Sequence, residues 1–258
     1  MEFALTTSDD VLARDLAQAA GQRLLALRAA GGDSDSLRRA GDRQSHEFLA
    51  AELARQRPAD AVLSEEGKDD AARLSAGRVW IVDPLDGTRE FGEAGRTDWA
   101  VHVALWERGE LTAGAVALPA QGGAVLSTAE PPPAPPAPPP GQPVRVLVSR
   151  TRPPAFLEQL AEQIELTLIP LGSAGAKAAE VIRGDADAYV HSGGQYEWDS
   201  AAPVAVAMAA GLHASRLDGS KLAYNQADPS LPDILICPAG LAATLLDGLR
   251  VAGCSATQ

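Results

Sequence analysis

One segment decides how this chain folds, and it reads Val79-Trp80-Ile81-Val82-Asp83-Pro84-Leu85-Asp86-Gly87-Thr88. Its first four residues form an apolar run of the length expected for a strand that is buried on both faces. The run ends in two carboxylates that stand three residues apart, with the carbonyl of Leu85 between them. Asp-Pro and Asp-Gly are also common turn dipeptides, so this segment taken alone is equally compatible with a plain turn.

A second apolar run, residues 61–64, also ends in acids, namely Glu65 and Glu66. Adjacent strand ends would bring these carboxylates close to Asp83 and Asp86. Carboxylates that converge on one buried point repel each other, and they must take up protons or be neutralised. Ligands that are all oxygen, with few competing nitrogens or thiols, favour Mg²⁺, so the pattern predicts a site for divalent cations.

A further acid, Asp199, stands near the predicted start of an alanine-rich helix that ends at Gly211. A helix-capping role is a sufficient explanation for one aspartate in this place. The alternative makes Asp199 a metal ligand from the second half of the chain. Both roles are chemically compatible, because a carboxylate at a helix N-terminus can accept backbone hydrogen bonds and still present an oxygen to a cation.

The apolar pattern changes along the chain. Helices are predicted over residues 10–30 and after Asp42, and a mostly antiparallel sheet follows them. Residues 131–143 hold nine prolines in thirteen positions, which predicts an exposed loop, with a docking site for a proline-reading module as the less favoured alternative. Strands then alternate with helices, as in a layered α/β structure. We therefore predict an N-terminal α+β lobe (1–130), a proline-rich loop (131–143) and a C-terminal α/β lobe (144–258).

Composition excludes several classes of protein. The 258 residues carry a net charge of −12, which argues against binding to nucleic acid by neutralising its phosphates. No apolar run approaches the roughly 20 residues that span a bilayer, and the N-terminus lacks the features of a secretory signal. We expect a cytoplasmic protein that binds neither nucleic acid nor membrane and acts on a small molecule, either as a monomer or as a homodimer.

Together the motifs resemble the lithium-sensitive, magnesium-dependent phosphomonoesterases of the inositol monophosphatase superfamily. The family pattern runs from an Asp through a Glu-Glu pair and Asp-Pro-hydrophobic-Asp-Gly/Ser-Thr to Trp-Asp. It is matched in order by Asp42, Glu65-Glu66, residues 83–88 and Trp198-Asp199. The resemblance spans about residues 9–250, and it implies the five-layered αβαβα fold of this superfamily.

The resemblance also implies a phosphomonoesterase site with two Mg²⁺ ions and direct attack by water. The implied metal ligands are Glu65, Asp83, the Leu85 carbonyl, Asp86 and Asp199. The implied catalytic residues are Glu65, Asp86, Thr88 and Asp42, with Thr88 orienting the water and Glu65 or Asp42 accepting its proton. The Lys and the Ser-Pro-Val-Thr that usually precede the first Asp are absent here, so a third ion is left open and Asp42 is either catalytic or a helix cap.

The segments Arg89-Glu90-Phe91 and Glu197-Trp198-Asp199 are most similar to the CysQ-type 3'(2'),5'-bisphosphate nucleotidases. That similarity implies hydrolysis of 3'-phosphoadenosine 5'-phosphate to AMP in sulfur assimilation. Lys177 and Arg89 are candidates for binding the second phosphate, although each could instead pair with a surface acid. The expected substrate contacts are Glu65, Leu85, Asp86, Gly87, Thr88, Arg89, Ser173, Lys177 and Asp199. Two alternatives are an inositol 1-phosphate or fructose 1,6-bisphosphate phosphatase and a metal-binding regulator without turnover.

Overall fold

The computed structural model describes residues 7–254, which form two five-stranded sheets and seven α-helices. The elements stack as helices, sheet, helices, sheet and helices, with one apolar core between each pair of neighbouring sheet and helix layers. The predicted five-layered αβαβα fold is confirmed. None of the helices within residues 7–254 is long and apolar enough to cross a membrane.

Two long helices, α1 (Asp9–Ala30) and α2 (Ser34–Gln56), form the first outer layer. The cap of α2 is Asp33, whose side chain accepts a hydrogen bond from the backbone N–H of Ser36 at 2.9 Å. The expectation that this helix begins after Asp42 is therefore wrong, and Asp42 is not a cap. Gly41 lies inside this helix. A Cβ there would stand 2.8 Å from a methyl carbon of Leu85, so the glycine allows close packing and does not mark a turn.

The first sheet places the acids of two neighbouring strands at one edge. Its strands lie in chain order: β1 (Ala61–Ser64), β2 (Arg78–Asp86), β3 (Ala100–Glu107), β4 (Glu110–Leu118) and β5 (Ala124–Ser127). Strands β1 and β2 are parallel, with Ser64 opposite Val82, whereas the other pairs are antiparallel. Glu65 therefore follows β1 at the same edge where β2 presents Asp83. A short helix, α3 (Thr88–Gly92), follows β2.

The second sheet is mixed and has five strands: β6 (Val144–Ser149), β7 (Leu166–Leu171), β8 (Ala188–Tyr196), β9 (Leu212–Ser215) and β10 (Ser230–Pro238). They lie in the order β7-β6-β8-β10-β9. Helices α4 (Leu157–Ala161) and α7 (Ala239–Val251) cover its outer face. Strand β9 was not predicted, because only its two end residues are buried and a four-residue segment carries little periodicity.

The middle layer consists of α5 (Ala174–Arg183) and α6 (Glu197–Ala209), which share one apolar core with both sheets. Helix α6 lies directly on the first sheet. The approach is so close that a Cβ built on Gly114 of β4 would stand 2.6 Å from the Cβ of Ala205. Small residues on both sides permit this approach, and it carries Asp199 from the second half of the chain to the edge of the first sheet. The apolar core is therefore continuous between the two halves of the chain, and their division into lobes at residues 130 and 144 stays a prediction.

The proline-rich segment, residues 131–143, contains no helix or strand, and most of its residues are exposed. It lies against three glycines at helix ends. The nearest side-chain atom to a Cβ built on Gly184, Gly211 or Gly240 belongs in each case to this segment, at 3.0 to 3.6 Å. Gly184 caps the C-terminus of α5. The segment therefore passes over the end of α5 that is remote from the acids.

Candidate active site

Three carboxylates from both halves of the chain meet at the end of β2. One oxygen each from Asp83, Asp86 and Asp199 lies within 4.8 Å of the other two. Asp83 and Asp86 are buried, and Asp199 is half-buried. The side chain of Glu65 contacts Asp83. The structure thus brings together the four acids that the sequence predicted as metal ligands.

The pKa values of these acids show how strongly they repel one another. Burial, followed by the charge of Asp199, raises the pKa of Glu65 to about 7. Burial and the charge of Asp86 raise the pKa of Asp199 to about 6. Burial and the neighbouring Glu65 raise the pKa of Asp83 well above its ordinary value. A buried divalent cation would relieve this repulsion, which is why such clusters are typical of metal sites.

Asp86 differs from its neighbours because it receives several hydrogen bonds. Its Oδ2 accepts from the hydroxyl of Ser173 at 2.5 Å and from the backbone N–H of Gly175 at 2.6 Å. Among the residues that the structure describes, its Oδ1 accepts only from the N–H of Ala174, at 3.1 Å. Burial alone would raise the pKa of Asp86, but His102 and these donors lower it to about 2. Asp86 is therefore ionised at neutral pH, and its Oδ1 has a lone pair left for a cation.

His102 is a member of the site that the sequence interpretation missed. It lies on β3 and is fully buried, with Nδ1 3.0 Å from the Trp198 carbonyl oxygen and Nε2 3.2 Å from Asp86 Oδ2. Burial would lower the pKa of His102, but Asp86 raises it above its ordinary value. A single polar residue inside the buried run of residues 99–105 was the signal that could have identified it.

Of the two roles considered for Asp199, the structure shows the one at the helix start, and the role as a metal ligand stays a prediction. Asp199 is the third residue of α6, and its Oδ2 accepts a hydrogen bond from the backbone N–H of Tyr196, the N-cap residue, at 2.7 Å. Its Oδ1 accepts no hydrogen bond from the residues that the structure describes. One oxygen therefore fixes the carboxylate to the helix start, while the other is left for a further ligand.

Thr88 connects the acid cluster to α2. Its hydroxyl oxygen lies 3.0 Å from the carbonyl oxygen of Leu85 and 3.1 Å from Oδ1 of Asp42. Gly87 precedes it with a φ of +85°, a conformation that favours glycine. Burial and the charge of Glu66 raise the pKa of Asp42 to about 6, although the Thr88 hydrogen bond opposes this. Asp42 thus lies within hydrogen-bonding reach of the hydroxyl that was predicted to orient water.

A cleft of about 670 Å³ opens beside these residues. The predicted site residues that line it are Glu65, Asp86, Gly87, Thr88, Arg89, Ser173, Lys177 and Asp199. Three predicted site residues do not line the cleft but contact residues that do, namely Asp42, Asp83 and Leu85. The sequence interpretation missed the lining residues Ser149, Arg150, Thr151, Arg152, His191, Gly194 and Gln195.

The cations of the cleft differ in how far they are already engaged. Lys177 is buried, and its Nζ donates to the carbonyls of Gly172 and Ser173 at 2.9 and 2.6 Å, while burial lowers its pKa to about 8. Arg150 forms ion pairs with Glu90 and Glu93. Arg89 and Arg152 are exposed and form no ion pair with residues in the range 7–254. These two arginines are therefore available to an anionic ligand.

The donor set fits a hard divalent cation. It consists of carboxylate oxygens and one backbone carbonyl, and it includes no thiol. The ring nitrogens of the nearby His102 face oxygens of Trp198 and Asp86 and point to no common centre with the acids. The acid cluster and the cleft beside it can therefore hold divalent ions next to a bound anion.

We expect the metal-free protein to become more stable as the pH falls from about 8 to about 6.5. The pKa of Glu65 in the folded state is about 7, against an ordinary value of 4.5, so the folded state takes up a proton here that the unfolded state does not. Repulsion is therefore present above pH 7 and is lost as the pH falls. His191, whose pKa burial lowers to about 4, opposes the trend only below its ordinary value of 6.5.

The measurement is thermal unfolding of protein dialysed against EDTA. The Tm should rise by roughly 2 to 4 °C between the two pH values, which corresponds to about 1 kcal/mol for a chain of this length. In Glu65→Gln the rise should be smaller, because the titrating group is gone. A Tm that falls over this interval in the parent protein would contradict the electrostatic description of the cluster.

Comparison with known proteins agrees with this geometry. The model of the "Inositol monophosphatase family" matches residues 6–246. A protein of Mycobacterium leprae (strain TN) named "3'-phosphoadenosine 5'-phosphate phosphatase" is 50% identical over 260 residues, covering 96% of each chain. A protein of the same name from Mycobacterium tuberculosis (strain CDC 1551 / Oshkosh) is 54% identical, covering 89% of each chain. The crystal structure of CysQ from Bacteroides thetaiotaomicron superposes with a TM-score of 0.77 at 26% identity, covering 92% of this chain and 99% of that one.

Proposed function

Because the chain belongs to the inositol monophosphatase family, whose enzymes use divalent metal ions, we propose that it is a Mg²⁺-dependent phosphomonoesterase that hydrolyses 3'-phosphoadenosine 5'-phosphate to AMP and phosphate. The observation that carries the proposal is the convergence of Asp83, Asp86 and Asp199 beside a cleft with two available arginines. The names of the relatives at 50% and 54% identity support the choice of substrate. A by-product of sulfate activation with two phosphates suits such a cleft.

The proposed metal ligands divide into two sets that share Asp83. One set is Glu65, Asp83 and the Leu85 carbonyl, and the other is Asp83, Asp86 and Asp199. When bound, the ions would polarise the phosphate ester and lower the pKa of a water molecule. The free Oδ1 of Asp199 and the lightly engaged Oδ1 of Asp86 support these roles.

Thr88 and Asp42 are the proposed pair that holds the attacking water and accepts its proton. The Thr88 hydroxyl can bond to Asp42 and to a water in the cleft. With a pKa of about 6, Asp42 is mostly ionised at neutral pH and is still basic enough to accept a proton. Glu65, with a pKa of about 7, is the second candidate for this role.

For the second phosphate of the substrate, we propose Arg152 and Arg89 in place of Lys177. The ammonium of Lys177 already donates to three carbonyls, so its role in the structure is to hold the loop that begins α5. The guanidinium of Arg152 lies beside Gly194, where a Cβ would stand 2.7 Å from it. Guanidinium groups bind phosphate oxygens in a bidentate manner, which suits a ligand with a second phosphate.

A substrate comparison tests the proposal. We expect kcat/KM with Mg²⁺ to be at least roughly a hundredfold higher for 3'-phosphoadenosine 5'-phosphate than for inositol 1-phosphate, because a site built to bind a second phosphate rejects substrates that lack it. Arg152→Ala should lower the value for the bisphosphate roughly ten- to a hundredfold and spare adenosine 3'-monophosphate. A preference for inositol 1-phosphate would establish the alternative phosphatase instead, and no turnover of any ester would favour the regulator.

A further inference from the structure

His102 connects two elements that carry candidate metal ligands. Its Nε2 lies 3.2 Å from Oδ2 of Asp86 at the end of β2, and its Nδ1 lies 3.0 Å from the Trp198 carbonyl oxygen in the first turn of α6. Trp198 directly precedes Asp199. The ring therefore lies between the acid that the first half of the chain supplies and the acid that the second half supplies.

The surroundings of the ring leave Asp86 as the partner of Nε2. The side chain is fully buried, and Nε2 forms no hydrogen bond with any described residue; the Oδ2 of Asp86, at an ion-pair distance of 3.2 Å, is the polar atom that it faces. A buried polar nitrogen without a hydrogen bond destabilises the folded state, so a histidine is an unfavourable choice here unless the contact with the carboxylate offsets this cost. Simple filling of the core would be served better by leucine.

Gly175 has no side chain at the point where the ring lies. A Cβ on this residue would stand 2.1 Å from Nε2 of His102, which is far inside van der Waals contact. The backbone N–H of the same residue donates to Oδ2 of Asp86 at 2.6 Å. The first turn of α5 and the imidazole thus approach one carboxylate oxygen together, and only glycine leaves room for both.

We propose that His102 is a positioning residue of the metal site: its Nε2 fixes the orientation of Asp86, and the contact of its Nδ1 with the Trp198 carbonyl only holds the ring in place. Because Oδ2 of Asp86 is held by His102, Ser173 and Gly175, the carboxylate presents Oδ1 to the ion. Groups that orient a metal ligand in this way typically contribute 10- to 100-fold to metal affinity. The inference depends on the metal assignment given above as the proposed function.

Two substitutions separate the two contacts of the ring. The side-chain nitrogen of glutamine reaches approximately the position of Nε2, so His102→Gln keeps a donor toward Asp86. The nitrogen of asparagine reaches approximately the position of Nδ1, so His102→Asn keeps a donor toward Trp198. His102→Leu fills the space and keeps neither. His213→Leu on β9, outside the cleft, is the matched control.

The experiment measures binding of Mn²⁺ alone by electron paramagnetic resonance, with the Tm of each metal-free variant as the measure of folding. We expect His102→Leu and His102→Asn to weaken Mn²⁺ binding roughly tenfold or more, His102→Gln to stay within about threefold, and His213→Leu to bind as the parent does. If the two amide variants bind equally, or if affinity follows the Tm across the series, His102 only packs the core and the inference is wrong.

Gly175→Ala supplies an independent test that leaves the histidine in place. The added methyl group should displace the ring and weaken Mn²⁺ binding, and in a double variant with His102→Leu it should add little, since both act on the same contact. Full additivity of the two effects would overturn the inference. Absence of Mn²⁺ binding by the parent protein would overturn the proposed metal site as well, which distinguishes the failure of one proposal from the failure of both.

Discussion

Replacing Asp86 with asparagine is expected to lower kcat for phosphate-ester hydrolysis roughly a thousandfold or more, because loss of a charged metal ligand removes several kcal/mol of transition-state stabilisation. The fold should persist. The amide oxygen of asparagine can take the place of Oδ2 and accept from Ser173 and Gly175, and the substitution reduces the crowding of negative charge. The measurement is steady-state hydrolysis at saturating Mg²⁺, with circular dichroism as the measure of folding.

Asp187→Asn is the matched control for this experiment. Asp187 is also a buried aspartate, but it pairs with Arg145 and does not line the cleft. Its substitution should lower the Tm and leave kcat of the folded protein unchanged. If Asp86→Asn turned over substrate at the rate of the parent protein, Asp86 would not be a metal ligand.

Replacing Thr88 with valine should lower kcat by roughly two orders of magnitude or more, the range typical of a lost proton-transfer partner. Valine has nearly the same shape as threonine but no hydroxyl, so the contacts with Asp42 and the Leu85 carbonyl are lost while the packing is kept. KM should change much less than kcat, because the hydroxyl is proposed to hold the water and not the substrate. The measurement is the pair kcat and KM across a range of substrate concentrations.

Thr88→Ser provides the test of specificity for this prediction. Serine keeps the hydroxyl, so kcat should return to within about tenfold of the parent protein. The activation free energy of the serine variant would then be lower than that of the valine variant by roughly 1 to 2 kcal/mol or more. Equal activities of the serine and valine variants would show that the hydroxyl does not act on the water. Asp42→Asn should resemble Thr88→Val if the two residues form one pair.

Much of the fold and of the acid cluster follows from local sequence. The run of residues 79–82 is apolar because Trp80 and Val82 pack under α1 and α2 while Val79 and Ile81 face α5 and α6, so both faces of β2 are buried. Such a run is recognisable from sequence alone. The acids that follow it and β1 then meet because parallel strands end at the same edge, which required no knowledge of the rest of the fold.

The errors and omissions arose where long-range packing decides the role of a residue. Gly41 precedes Asp42 in a pattern that indicates a helix start, whereas the glycine is needed for contact with Leu85 across the layer. Lys177 stands in a motif that suggests a phosphate contact; it lines the cleft and also donates to carbonyls of its own loop, so its contact with phosphate stays a prediction. Arg152 carries no local signature, and the local signal of His102 is only that it is a polar residue inside an apolar run. Their roles depend on α6 and on β8, which approach them from more than 40 residues away.

The placement of α5 and α6 between the sheets has a consequence for biosynthesis. The first sheet is complete by residue 127, but the face that these helices cover has no partner until about residue 209 has been made. A nascent chain therefore exposes an apolar surface and an unbalanced cluster of acids while the ribosome adds some 80 further residues. Partly folded chains with exposed apolar surface are prone to aggregate at this stage. The contacts of α5 and α6 with the first sheet join residues that are far apart in sequence, so this packing step should be slow. The cleft with its complete set of acids should form only at this step.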